Sequence, residues 1–141
     1  MVADLFVAIH LLSGYPVPER NPEVSLVPLA TMQQMVCKGP SGVKGVYMPA
    51  RGTFIDESID LVGDIYARSV LMHELVHHLQ HMSGKFETID APCYRSHAKE
   101  VEAYEIRNRY LKNMRVNRGL FSLDSAAIAC QEHSKAASAG P

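Results

Sequence analysis

The stretch Leu71 to Met82, LMHELVHHLQHM, carries four histidines and one glutamate within twelve residues. Inside it, His73-Glu74-Leu75-Val76-His77 forms an HExxH pattern. On a helix, residues four apart project from one face with Cβ atoms about 5 to 6 Å apart, so the two imidazoles can grip one zinc ion. Glu74 lies at the edge of that face. From there it can reach a water on the metal but is poorly placed to ligate the metal itself.

The surrounding sequence decides whether this is a site or a histidine-rich helix. From about Asp64 to Met82 there is no glycine or proline, and the run ends at Ser83-Gly84, a predicted C-cap. At about 100° per residue, Leu71, Met72, Leu75, Val76, Leu79 and Met82 form a broad apolar stripe that faces the core. His73 and His77 fall nearly opposite, together with Tyr66 and Val70. A solvent face seldom carries a tyrosine and a valine, so another element is expected to cover the histidines. A covered face bearing two imidazoles needs polar partners or a metal. His78 points away from the pair and His81 lies to its side, so both are read as solvated or supporting. The rival pair His77 and His81 lacks a glutamate in the matching place.

A catalytic zinc takes three protein ligands and keeps one position for water, so a third donor is expected downstream. A continuation to xxGxxH would supply a histidine, but the residues after His77 do not fit it. The other source is a long helix predicted from about Ser96 to Val116, which offers Glu100, Glu102 and Glu105. On its helical wheel Glu100 falls among Ala103, Tyr104, Arg107, Tyr110, Leu111 and Met114. Glu102 and Glu105 fall on the opposite side near Arg109, with Glu105 and Arg109 spaced as an i,i+4 surface pair. Glu100 is therefore the preferred third ligand and Glu102 the second choice.

The rest of the chain reads as mixed secondary structure. A helix over residues 3–13 is stopped by Gly14, and the prolines of YPVPERNP force an extended connection. EVSLV is a short strand ending at Pro28, Leu29 to Cys37 a second helix, and KGPSG a loop. VKGVYMPARGTFID has the apolar flanks and central turn of a hairpin, and KFETIDAPCYRS reads as a loop. Residues 1–125 make one domain and residues 126–141 a small, polar, disordered tail.

Composition narrows the function classes. The 14 lysines and arginines nearly balance 15 aspartates and glutamates, which argues against a nucleic-acid surface. No run approaches the roughly 20 apolar residues of a membrane span. MVADLFVAIHLLSGYP is interrupted by Asp4 and His10 and lacks a basic start, so it reads as an amphipathic helix rather than a signal peptide. A soluble, cytoplasmic protein is the default expectation, with a secreted or periplasmic location left open. Cys37, Cys93 and Cys130 form no CxxC and no zinc cluster. They read first as buried or idle thiols. A Cys37 to Cys93 bridge is the alternative and would imply an oxidising compartment.

HELVH followed by a helix bearing Glu100-Val101-Glu102-Ala103 resembles the gluzincin metallopeptidases, and the short chain is similar to their reduced, minigluzincin-like members. The resemblance covers about residues 65 to 112. It implies an α+β, minimal zincin-like domain with a small, mostly antiparallel sheet, the HExxH helix and a following glutamate-bearing helix. It also implies an edge strand, here Val46-Tyr47-Met48 or Thr53-Phe54-Ile55, antiparallel to bound substrate. By this resemblance the protein is a zinc-dependent hydrolase, a small metallopeptidase acting on peptides or proteins, with one Zn2+ per chain on His73, His77 and Glu100. Zinc would activate water and polarise the scissile carbonyl, while Glu74 would take the proton and pass it to the leaving amine. Where many gluzincins place an aspartate four residues after the ligand glutamate, this chain has Tyr104. Its phenol could donate to Glu100 or polarise a substrate carbonyl. Tyr94, Arg95 and His97 are further candidates for stabilising the oxyanion. The alternative reading is a zinc-bound binding or regulatory module that cleaves nothing, and a third is a helical protein with surface histidines. The sequence does not specify an oligomeric state.

Overall fold

The computed structural model describes residues 1–36, 43–117 and 119–120. In chain order these form α1 (Val2–Ser13), β1 (Val24–Val27), α2 (Leu29–Val36), β2 (Gly45–Met48), β3 (Gly52–Asp56), α3 (Ile65–Ser83) and α4 (Pro92–Asn113). The architecture is α+β. Cys37, the loop predicted at 38–42, Cys130 and the tail predicted at 126–141 lie outside the described residues.

α3 organises the molecule. Asp64 starts it by accepting a hydrogen bond from the Tyr66 backbone N–H at 2.9 Å, and Gly84 ends it in the left-handed conformation. Leu71, Met72, Leu75, Val76 and Leu79 are buried, as the apolar stripe predicts, and pack with Leu5, Phe6 and Ile9 of α1, Ala103 and Ile106 of α4 and Ile55 of β3. Each of these side chains except that of Ala103 contributes about 1.5–3 kcal/mol by leaving water. Met82 departs from the stripe and is 69% exposed, because the last turn, with His81 and Ser83, projects beyond the core.

The strands run in the order β1-β3-β2, with β2 antiparallel and β1 parallel to β3. The sheet is therefore mixed, which corrects the mostly antiparallel sheet implied by the resemblance. The physical reason is the connection. Pro28 ends β1, and α2 with β2 supplies the long crossover that a parallel pair needs, while the tight hairpin makes β3 the central strand. Gly52 permits this pairing. Its φ of 101° is left-handed, and a Cβ there would lie 2.6 Å from the Glu23 carbonyl oxygen.

α4 begins at Pro92, four residues before the predicted Ser96, so Cys93 to Arg95 are helical rather than loop. A proline is read as a breaker, yet at the first helical position its missing N–H would have had no partner in any case. Ala103, Ile106, Arg107, Tyr110 and Leu111 face inward, whereas Met114, just past the helix end, is 42% exposed. Arg109 does not pair with Glu105 among the described residues. It donates to the Leu12 carbonyl at 3.1 Å, completing the end of α1. Cys93, in the first turn of α4, is disulfide-bonded, which corrects its reading as an idle thiol. No helix among the described residues is long and apolar enough to cross a membrane.

Candidate metal centre

α3 presents His73 and His77 toward α4, and α4 returns Glu100 to them. The Nε2 atoms of the two histidines are 3.1 Å apart, with the rings nearly perpendicular at 83°. Glu100 sets Oε1 2.6 Å from His77 Nε2 and Oε2 3.2 Å from His73 Nε2. Three donor atoms thus converge on one point. Zinc binds imidazole nitrogen and carboxylate oxygen at about 2.0–2.2 Å in a tetrahedral array, which spaces the donors roughly 3.3 Å apart. The triad fits that demand after a slight opening of its closest pair.

Electrostatics give the cluster its second property. Burial works against a charge on His77, but the hydrogen bond and charge of Glu100, with Glu74 and Gln80, outweigh it and raise the imidazole pKa. Burial likewise opposes ionisation of Glu100, yet the two histidines hold its carboxyl well below the usual range. Its side chain remains 40% exposed, so solvent reaches the cluster from that side. These atoms want a shared cation, whether a proton or a metal. His77 Nδ1 meets the side-chain oxygen of Gln80 at 2.8 Å, whereas His73 Nδ1 is buried without a hydrogen-bond partner among the described residues.

Glu74 stands next to this point, 8% exposed, and burial raises its pKa in spite of the neighbouring imidazoles. A cavity of about 520 Å³ opens over it, lined by Tyr66, Val70, His73, Glu74, His77, Glu100, Tyr104 and Arg107 on the helices and by Val43 to Tyr47 across from them. Tyr66 and Val70 therefore share the histidine face as predicted, and β2 is the element that covers it. The covering strand approaches closely at Gly45, where a Cβ would lie 3.1 Å from Glu74 Cγ and 3.0 Å from Ile55 Cδ1. A second cavity of about 280 Å³ meets the first at Tyr47, His77 and Glu100.

The remaining predicted site residues divide. Tyr104 lies beside the centre, its ring 4.4 Å from that of His73, and burial followed by the Glu100 charge raises its pKa. Tyr94 is exposed, and Arg95 is engaged with the Ile89 and Asp90 carbonyls. Neither lines the two cavities at the centre, and neither does His97. Glu102 stands outside the triad of His73, His77 and Glu100 and is not a surface residue. It accepts hydrogen bonds from Tyr15, Lys85 and Gln80, because the segment after α1 covers a second side of α4. His78 contacts Tyr47, with Nδ1 3.3 Å from the phenol oxygen, and His81 is exposed.

Two residues at the centre were not singled out from sequence. Arg107 is 6% exposed, lies 5.1 Å over the Tyr66 ring and donates from Nε to Ser69 Oγ at 2.8 Å. The available signal was a charge at an inward position, seven residues after Glu100. Gln80 is three residues after His77 and so lies on its face. No protein-family model matches the chain, and no similar curated protein or solved structure was found.

Proposed function

We propose that the protein is a zinc-dependent hydrolase, a small metallopeptidase of gluzincin-like design that cleaves peptide bonds. The observation that carries this reading is the convergence of His73 Nε2, His77 Nε2 and the Glu100 carboxylate, all within 4.8 Å of one another, beside the buried carboxyl of Glu74. Zinc held there would supply Lewis acidity, lowering the pKa of water and polarising a carbonyl. Glu74, in an environment that raises its pKa, is suited to take a proton from water and return it to a leaving amine. Tyr104 and Arg107 line the same cavity and are the side chains we assign to a developing oxyanion.

Substrate access supports a peptide. β2 is an edge strand, and Lys44 to Tyr47 line the cavity beside the triad. An extended chain can pair with such an edge. The triad sits where two cavities meet, which leaves room on both sides of a scissile bond. The Cys93 disulfide favours an oxidising compartment over the cytosol.

The test is a pair of variants assayed against a peptide library. Glu74→Gln is expected to keep zinc and lose turnover by a factor on the order of 10² to 10⁴. His77→Ala is expected to lose both. A Glu74→Gln protein with full activity contradicts the proposal, and wild type that holds zinc without cleaving any peptide supports the binding-module alternative.

A further inference from the structure

We infer that Gln80 is the positioning residue of the metal centre: its amide holds His77 with a proton on Nδ1 and with Nε2 turned toward His73 and Glu100. The purpose of this device rests on the metal-centre reading; its geometry does not. Gln80 lies on α3, is 1% exposed, and must therefore satisfy both ends of its amide inside the protein.

The nitrogen end has two partners. It donates to the Lys99 carbonyl at 2.9 Å and to Glu102 Oε1 at 3.2 Å, and both of these oxygens only accept. Reversing the amide would set its oxygen against two acceptors. The orientation is thereby determined, and the side-chain oxygen faces His77 Nδ1 at 2.8 Å. An amide oxygen only accepts, so Nδ1 must carry a hydrogen.

The support extends outward. Glu102 is itself held by Tyr15, in the segment after α1, and by Lys85, just past α3. The line Tyr15, Glu102, Gln80, His77 thus ties α3, α4 and the segment after α1 to one ring nitrogen. A ligating imidazole whose other nitrogen is hydrogen-bonded gains basicity and a set orientation, and losing such a partner costs 10–100-fold in metal affinity. His73 has no equivalent partner among the described residues, so the support of this centre runs through Gln80.

Imidazole 15N NMR of metal-free wild type, taken at a pH where the His77 ring holds a single proton, tests the geometry directly. His77 Nδ1 is expected to be a protonated nitrogen, and an unprotonated Nδ1 overturns the inference whatever the protein does with zinc. Competitive zinc titration tests the purpose on Gln80→Met and Gln80→Glu. Gln80→Met keeps the length and loses the acceptor, and zinc should bind about 10–100-fold more weakly. Gln80→Glu keeps an acceptor for His77 but faces Glu102 with a second carboxylate, so its Tm should fall while zinc affinity stays close to wild type. If affinity instead follows Tm, or if Gln80→Met binds zinc as tightly as wild type, Gln80 is merely structural and the inference fails. Wild type that binds no zinc removes the metal reading, and the Nδ1 resonance then decides the orientation alone, as it does if a variant fails to fold.

Discussion

His77 and Glu100 face each other across 2.6 Å, and this pair is expected to contribute to how the metal-free protein responds to pH. The pKa of His77 is raised by folding, so its contribution to stability is complete below its unfolded value near 6.5 and is lost as pH rises through the folded one. The pKa of Glu100 is lowered, so its contribution is present above its unfolded value near 4.3 and is lost as pH falls through the folded one. Glu74, raised by burial, adds to the loss on the alkaline side. Metal-free protein should therefore have its highest Tm between about pH 4.3 and 6.5 and decline toward pH 8. Zinc competes with protons for the ligands, so zinc-loaded protein should hold its Tm at pH 8. Thermal melts across that range decide it, and a metal-free Tm that climbs from pH 6 to 8 counts against this account. Much of the centre was legible at this scale, because i,i+4 geometry alone sets His73 beside His77, and a helical wheel separates Glu100 from Glu105. The wheel misread Glu102, since it assumes one buried face and Tyr15 creates a second. The role of Gln80 depends on a carbonyl of another helix, which no local pattern reveals.

Among the elements, the contact between β2 and α3 matters most for the proposed chemistry. Gly45 lets the strand pass over Glu74, and an added Cβ would press on Glu74 Cγ, Ile55 Cδ1 and Val70 Cγ1 at 3.0–3.1 Å. Gly45→Ala is expected to cost about 1–3 kcal/mol through overpacking and to reduce turnover by shifting Glu74. Zinc stoichiometry should not change, because the three atoms nearest a Cβ at position 45 belong to Ile55, Glu74 and Val70 and not to His73, His77 or Glu100. Urea unfolding, metal analysis and peptide assay on one preparation separate these effects, and full turnover would show that Glu74 tolerates the intrusion. The helices were legible from their periodicity and glycine stops, whereas strand order was not. Parallel pairing of β1 with β3 is decided by a crossover whose direction leaves no mark in a four-residue strand.

Across the whole molecule, α3 is the shared wall between the helical layer and the sheet, and α4 is the element that must be delivered to it accurately. The disulfide at Cys93 restrains the first turn of α4, two turns ahead of Glu100. Cys93→Ser should cost about 2–5 kcal/mol in chemical denaturation, and reductant should have the same effect on wild type but none on the variant. Equal sensitivity of both proteins to reductant would show that the bridge does not secure α4.

The central claim is that α3 and α4 together build one metal centre from His73, His77 and Glu100. Zinc content should be measured by elemental analysis on untagged wild type, Glu100→Ala and Glu105→Ala after reconstitution. About one zinc per chain in wild type and in Glu105→Ala, with loss in Glu100→Ala, is the expected result for a three-ligand site. Wild type without zinc, or Glu100→Ala with a full complement, would contradict it.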